Sequence, residues 1–427
     1  MNAKKIVLLT LGTRGDVQPF IALGKALKAR GHDVVLGAPE DFRSWIEGHG
    51  LAYRSIGVDM REFVQSLQAR KVMAGNLFAM ARLWRKTILP LTRRSLDAIW
   101  ETAREADVIV YHPKTAGAAD VGEATGAALY YAAPFPIFPS EAHPLFVFSG
   151  NYGPWLNRLS YKLLLFSRLL LLPTVNRWRQ DVLGLGRASP FGAAGAANDR
   201  KFGQLCAVSP SVVPGYPADD SENIRTTGYW FLNEGQDWQP DSELSGFLAN
   251  GEPPIYIGFG SMSSGDPARL TQVIVEGVRR AGVRAILATG WGAMEGIDVP
   301  GTIHVIGAAP HDALFKRVSA VVHHGGAGTT AAGLRAGLPT LICPLTIDQP
   351  FWGRRVHALG CGPKPQLIKR LRSGRFAEGL VELTKTNSYR VRAREVARAI
   401  AKEDGVARAV EIVGAVRRHR REDTAAC

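Results

Sequence analysis

Short apolar runs, glycine turns and helical stripes alternate along the chain. Ile6–Leu11 is almost wholly apolar, and the turn Gly12–Asp16 follows it. A helix pattern then starts near Pro19, with Phe20, Leu23 and Leu27 on one face and a stop at Gly31. Further strands are predicted at Asp33–Ala38, Val108–Tyr111 and Leu129–Ala132. The second half repeats the plan, with strands at Pro254–Phe259, Arg284–Ala288, Thr302–Val305, Ala320–His323 and Thr340–Cys343. Helices between them start near Pro267, Pro310, Gly328 and Gln349, and a basic helical pattern runs from about Arg390 to Val416. Strands alternating with helices predict an α/β protein with two Rossmann-like, doubly wound lobes facing a cleft. The expected division is 1–215, a linker at 216–253 within the Pro-, Gly-, Asp- and Asn-rich stretch Ser209–Pro254, a second lobe at 254–400, and 401–427.

Composition narrows the classes. With 427 residues and 46% hydrophobic content, each lobe can bury a core, so disorder is excluded. The 52 basic and 38 acidic side chains leave a charge of +14, which favours anionic partners. The charge is spread along the chain apart from the tail Arg417–Arg421, and no zinc-finger spacing or basic region with heptads accompanies it, so nucleic acid is not expected as a partner. Cys206, Cys343, Cys361 and Cys427 have neither metal-site nor disulfide-framework spacing, which suits a reducing, cytoplasmic setting. The opening apolar run imitates a signal peptide, but it is short and lacks a small-residue cleavage site, so a buried strand is expected. Leu163–Leu172 is interrupted by Ser167 and Arg168 and falls far short of the ~20 residues of a spanning helix. Residues 155–172, with Arg158, Lys162 and Arg168 interleaved, read as an amphipathic helix. It packs on its own domain, the more ordinary outcome, or lies on an anionic membrane as a peripheral contact.

The segment Val321-Val322-His323-His324-Gly325-Gly326-Ala327-Gly328-Thr329-Thr330 carries the most chemistry. A strand enters a glycine turn and a helix starts at once, which presents unpaired N–H groups and a positive helix end to a diphosphate. Thr329 or Thr330 adds a hydroxyl, His324 a ring nitrogen, and the turn Gly258-Phe259-Gly260-Ser261 is positioned to meet the same anion. His323 reads as a neighbour of the cradle. No GK[ST] or Asp-x-Asp occurs, so neither a Walker site nor a metal-bridged diphosphate is expected, and no metal or other cofactor is called for.

These residues, with Ala336-Gly337-Leu338-Pro339-Thr340 and Asp348-Gln349-Pro350-Phe351-Trp352-Gly353, resemble the nucleotide-sugar signature of family 1 glycosyltransferases. The likeness is strongest to sterol 3β-glucosyltransferases and glycopeptide-antibiotic glycosyltransferases. Gly12-Thr13-Arg14-Gly15-Asp16-Val17-Gln18-Pro19, Asn176-Arg177-Trp178-Arg179, Gly228-Tyr229-Trp230-Phe231-Leu232 and Pro310-His311-Asp312-Ala313-Leu314-Phe315 extend it over about residues 4–415. The resemblance implies a GT-B fold, with the acceptor bound by the first lobe, the donor by the second, and the last helix crossing back to the first lobe. It implies that Ser261, His324, Gly326, Gly328 and Thr329 bind the donor diphosphate, that Asp348 and Gln349 bind the sugar, and that Ala309, Pro310 and His311 lie along the nucleoside. The co-substrate would be a nucleoside diphosphate sugar, UDP-glucose for choice, and the acceptor a hydrophobic small molecule such as a sterol, terpenoid or polyketide aglycone.

Inverting transfer needs a base for the acceptor hydroxyl. Asp16 stands where the resemblance puts that base, with partial burial expected to raise its pKa. Its other reading is an N-cap ahead of the helix. His112, Glu141 and His143 are further polar candidates in first-lobe loops, and lobe closure is expected to complete the site. The rival functions are a nucleotide-sugar epimerase or hydrolase, and a non-catalytic lipid or sugar-nucleotide binding protein.

Overall fold

The computed structural model describes residues 3–60, 82–189, 202–216, 224–260, 267–289, 299–345 and 348–415. The first lobe holds strands β1 (Lys5–Leu9), β2 (Asp33–Ala38), β3 (Ala52–Ser55), β4 (Val108–Tyr111), β5 (Ala128–Ala133), β6 (Phe202–Cys206) and β7 (Ile224–Thr226). They form one sheet in the order β3-β2-β1-β4-β5-β6-β7, and every pairing is parallel. The second lobe holds β8 (Ile255–Gly258), β9 (Ala285–Ala288), β10 (Ile303–Ile306), β11 (Ala320–His323) and β12 (Thr340–Ile342), ordered β10-β9-β8-β11-β12, again all parallel.

Helices cover both faces of each sheet. The first lobe carries α1 (Arg14–Ala29), α2 (Arg43–Gly48), α3 (Leu89–Ala103), α4 (Ala118–Thr125), α5 (Pro154–Ser160) and α6 (Leu163–Asp181). Then come α7 (Ser242–Ala249), α8 (Pro267–Ala281), α9 (His311–Leu314), α10 (Ala327–Arg335), α11 (Gln349–Ala358), α12 (Ser373–Lys385), α13 (Asn387–Ile400) and α14 (Gly405–Gly414). The continuous apolar run of β1 follows from this layering. Ile6 and Leu8 pack on Phe20, Leu23 and Leu27 of α1, while Val7 and Leu9 pack on Leu96, Ile99 and Trp178 on the other face.

The structure moves several expected boundaries. The first helix begins at Arg14, five residues before Pro19, so Asp16 lies inside its first turn. The predicted linker at 216–253 starts too early, because Ile224–Thr226 is the seventh strand of the first sheet. That strand has only three residues, too few for a period to register. Within the linker, α7 is capped by Asp241, whose side chain accepts from the Leu244 N–H at 2.8 Å. Residues 155–172 form two helices, α5 and α6, with a turn between them. The basic pattern at 390–416 likewise splits into α13 and α14.

Helix α14 returns to the first lobe. Val410 and Val413 join the core of Phe20 and Leu23. The Tyr130 hydroxyl donates to the Ile412 carbonyl (3.2 Å), and the Lys4 ammonium donates to that of Gly414. The helix starts at Gly405 because nothing larger fits there: a Cβ would lie 2.4 Å from the Tyr229 carbonyl oxygen and 2.6 Å from that of Gly228. Gly405→Ala is expected to destabilise the chain by about 1–3 kcal/mol through overpacking. Urea titration checks this, and an unchanged midpoint would refute it.

Candidate active site

In an open parallel sheet the ligand crevice lies where the strand order reverses, beyond the carboxyl ends of the strands. In the first sheet that point is between β1 and β4, so the loops at 10–13 and 112–117 meet there. Asp16 is buried at this point. Its Oδ2 accepts the Thr13 N–H (2.8 Å), half of a capping box that starts α1 at Thr13. Its Oδ1 accepts from Lys114 Nζ (2.8 Å) and lies 3.2 Å from His112 Nε2. The carboxylate comes so close to the β1–α1 turn that a Cβ on Gly12, at φ 142°, would lie 2.0 Å from Oδ2. The Lys114 N–H donates to His112 Nδ1 (3.2 Å), which leaves the ring hydrogen on Nε2, facing Asp16.

This environment corrects the expectation for Asp16. Burial alone raises its pKa, but Lys114 and then His112 outweigh it and hold the carboxyl well below the usual range. It is neither an exposed carboxylate nor a simple N-cap: Thr13 is the cap, and Asp16 sits at the third helical position. His112 is fully buried, and that burial pushes its pKa down against the pull of Asp16. Phe135 closes the apolar side of the group, 5.5 Å from the His112 ring and 5.6 Å from Lys114 Nζ, with Phe146 behind it. Glu141 and His143 lie further out. Glu141 pairs with Arg158 (3.5 Å), and His143 packs edge-on against Phe351 of α11 while its Nε2 meets the Pro214 carbonyl (3.2 Å).

The second sheet repeats the geometry between β8 and β11. His324 follows β11 and is held between two glycines. A Cβ at Gly260 (φ 64°) would lie 3.0 Å from its Cε1, and one at Gly326 would lie 2.8 Å from its Nε2. Burial pushes His324 down to about 4, so near neutrality it offers an N–H and no charge. His323 is fully buried, and its Nδ1 accepts the Gly325 N–H (3.0 Å). Gly326 is the N-cap of α10, whose first N–H groups open toward the cleft. The Thr330 hydroxyl donates back to the Gly326 carbonyl (2.9 Å), which leaves Thr329, on the partly exposed side, as the hydroxyl available to a ligand. Ser261 lies outside the described residues.

The two crevices face each other. A Cβ at Gly328 would stand 3.7 Å from the Gly15 Cα, so the first turns of α10 and α1 nearly touch. Asp348 caps the start of α11, and its Oδ2 accepts from the Trp352 indole (3.0 Å). Burial raises its pKa, and both Lys114 and Asp16 act on it from the other lobe. Gln349 is buried, and its Oε1 accepts the Leu345 N–H (2.8 Å), which ties Leu345 to the first residue of α11.

A cavity of about 380 Å³ opens beside Gly328, lined by Gly15, Gln18, His311, Asp312, Phe231 and Arg335 among others. Pro310 caps α9, Ala309 packs against the neighbouring core, and His311 stacks on Phe315 (4.6 Å) with Nε2 3.3 Å from the Tyr256 hydroxyl. Burial, with Arg14 nearby, pushes His311 down to about 4. Glu234 clamps this region to the first lobe. It accepts from Arg14 (2.7 Å), Gln18 (3.2 Å) and Trp45 (2.6 Å) and meets His49 Nε2 (3.2 Å). The backbone N–H groups of Glu234 and Gly235 donate to Asp312 Oδ2 (3.1 and 2.9 Å). Sequence reasoning passes over Lys114 and Glu234. The first had one readable signal, a lysine two residues after His112 at a strand end; the second had none.

Residues 6–144 match the glycosyltransferase family 28 N-terminal domain, and residues 285–416 match the erythromycin biosynthesis protein CIII-like C-terminal domain. The chain is 36% identical over 427 residues to the sterol 3-beta-glucosyltransferase of Aspergillus fumigatus, covering 96% of this chain and 29% of that protein. It is 37% identical over 443 residues to the protein of the same name from Cryptococcus neoformans var. neoformans serotype D, covering 96% and 27%. The chain thus spans under a third of the length of these relatives. Among solved structures, the glycosyltransferase SnogD from Streptomyces nogalater superposes with a TM-score of 0.66 at 20% identity, covering 97% of this chain and 100% of that one. The kitacinnamycin glycotransferase gives 0.69 at 18%, covering 97% and 99%. The architecture is that of the GT-B glycosyltransferases.

The Asp16–Lys114 pair is linked to stability. Asp16 is more acidic in the folded chain than in the unfolded one, so the pair contributes fully above the ordinary carboxylate pKa of about 3.9 and fades as pH falls below it. Because Lys114 is half exposed, screening limits that contribution to about 1 kcal/mol. Lys114→Met should lower the thermal midpoint at pH 7, with the gap to the parent chain narrowing below about pH 4. Differential scanning fluorimetry at several pH values checks this; a gap independent of pH would contradict it.

Proposed function

We propose, from the premise that this chain belongs to the GT-B glycosyltransferases, that it is an inverting, metal-independent hexosyltransferase. It moves a hexose, glucose for choice, from a nucleoside diphosphate to a hydroxyl of a hydrophobic acceptor. The observation that carries this reading is the opposition of two crevices: Asp16 with His112 and Lys114 on one side, His324 and the α10 N-terminus on the other.

Each group has a distinct part. The donor diphosphate lies on the α10 N-terminus beside His324, Gly326, Gly328 and Thr329, with Ser261 completing the cradle. Backbone N–H groups and a neutral imidazole stabilise the charge that grows on the leaving oxygen. Asp348 and Gln349 bind the sugar hydroxyls. Ala309, Pro310 and His311 line the nucleoside, next to the cavity.

Asp16 takes the acceptor proton. Its low pKa is compatible with that role, because the alcohol becomes strongly acidic as its oxygen bonds to the sugar carbon. A carboxylate that is always ionised then suffices. His112 and Lys114 keep Asp16 ionised and aimed. Phe135 and Phe146 give the acceptor an apolar wall. The relatives named for sterol glucosylation, at 36–37% identity, favour a sterol-like acceptor. Structural neighbours named for kitacinnamycin and calicheamicin keep polyketide aglycones in view, and two neighbours are described in complex with thymidine diphosphate.

The test is a mass-spectrometric screen of several nucleotide sugars against sterol, flavonoid and macrolide acceptors, with and without EDTA. Transfer that survives chelation is expected. Asp16→Asn should lower kcat by about 10²–10⁴-fold while leaving donor affinity nearly intact. Near-normal turnover would exclude Asp16 as base. Since Asp16 stays ionised well into acid, kcat/KM should hold steady down to about pH 5, whereas a histidine base would lose activity through about pH 6.5.

A further inference from the structure

Helix α5 and the first turns of α6 turn many of their apolar side chains outward, although Val175 and Trp178 further along α6 are buried in the core. Trp155 is 73% exposed, Phe166 61% and Leu163 51%, and Leu156, Leu159, Leu169 and Leu170 are exposed with them. Positions 155, 159, 163, 166 and 170 follow helical spacing, so they form one stripe across the turn between the helices. Val147, Phe148 and Tyr152, also exposed, extend it through the preceding loop.

The polar residues of these helices explain the inversion. Asn157 is fully buried on the inner face of α5, where its Nδ2 donates to the Glu141 carbonyl and to Asn151 Oδ1 (both 2.8 Å) and its Oδ1 accepts the Tyr152 N–H (3.1 Å). Tyr161, also buried, donates to the His143 carbonyl (3.1 Å). A helix fastened by a buried asparagine cannot roll its apolar stripe inward without breaking that anchor. A contiguous apolar surface of this kind on a folded chain marks a contact site.

Charge selects the occupant. From Ala142 to Gln180 the chain has no Asp or Glu, and Arg158 (paired with Glu141 at 3.5 Å), Lys162, Arg168 and Arg177 lie within it, whereas Arg179 is buried against Asp120 and Glu123. Arg158 and Lys162 are exposed among the apolar side chains, and long basic stems can reach sideways to phosphates while the apolar residues insert. A protein partner of matching shape would have to cover this stripe with acidic groups. A bilayer with anionic headgroups meets both features with no further specificity.

We propose that the stripe from Val147 to Leu170 is a docking surface for an anionic lipid bilayer, on which α5 and α6 lie in the interface. Its position ties this surface to the cleft. The Phe148 carbonyl accepts from Arg354 of α11 (2.6 Å), the helix that Asp348 caps, and the same loop carries Phe146, which packs on the Phe135 wall beside Asp16. A docked chain has its acceptor mouth at the bilayer surface, so a membrane-dissolved acceptor enters without crossing water. That purpose rests on the proposed glycosyl transfer; the docking itself does not.

The test is co-sedimentation of the full chain with phosphatidylcholine vesicles and with vesicles that also contain phosphatidylglycerol. Binding to the anionic vesicles, weakened by salt, is expected. Trp155→Ser with Phe166→Ser should lower the partition coefficient about tenfold or more, and Arg158→Glu with Lys162→Glu should abolish the preference for phosphatidylglycerol. Unchanged thermal midpoints and nucleoside diphosphate affinity show that the variants are folded. The proposal is overturned by absence of vesicle binding, by equal binding to both vesicle types, or by partitioning indifferent to the Trp155 and Phe166 changes. A dimer in solution that those changes dissolve overturns it too, because a second copy would then be the occupant. No turnover is needed for any of these readouts, so failure of the docking and failure of the transferase reading are separable.

Discussion

The reversal of strand order in two parallel sheets is the constraint on which the site depends. In each lobe the first strand of the fold has its second on one side and its fourth, counted within that lobe, on the other. Neighbouring loops therefore leave in opposite directions and open a crevice. One crevice receives Asp16, His112 and Lys114, which are nearly a hundred residues apart in sequence. The other receives the turn at Gly260 and the start of α10. Chemistry is then a matter of bringing the crevices together, which the linker, α14 and the near contact of Gly15 with Gly328 all do.

Within the cleft, the environments of the two carboxylates push them in opposite directions. Asp16 accepts from a lysine and a backbone N–H, with the His112 ring 3.2 Å away, and it is held ionised. Asp348 receives one indole N–H and is buried, and its pKa rises. Opposite shifts of this kind separate roles that two like residues would otherwise share. The histidines follow the same economy of charge. His112, His311 and His324 are all pushed toward the neutral form by burial, and the Lys114 and Arg14 side chains stand beside them at the cleft.

Much of this plan is legible in the residues, and the reason is physical. A strand buried on both faces must be apolar throughout, so β1, β2, β4, β8 and β11 stand out as runs bounded by turns. The cradle is legible because glycines are the residues that let backbone approach a ring or an anion. The pattern fails where the determinant is distant. Strand β7 is three residues long and owes its conformation to β6. The start of α1 is set by a capping box at Thr13, while Pro19, which looks like a first-turn residue, sits within the helix. The pKa of Asp16 falls because of Lys114, which no local reading of the Gly15-Asp16-Val17 turn contains. The apolar stripe of α5 and α6 has the periodicity of an amphipathic helix whichever way it faces, and only the buried Asn157 decides the direction.

Glu234 extends the same logic from the site to its motion. One carboxylate in the linker gathers Arg14 and Gln18 from α1 and Trp45 and His49 from the second helix of the first lobe, while the adjoining backbone is fastened to Asp312 in the second. Asp312 is the neighbour of His311 on the short α9, so the loop proposed to line the nucleoside cannot shift without pulling on the α1 turn that carries Asp16. Arg14 reaches both ends, since it bonds to Glu234 and also acts on His311 and Tyr256 across the cleft. The contacts that hold the lobes together belong to the protein itself, and the cavity beside Gly328 is bounded by both lobes.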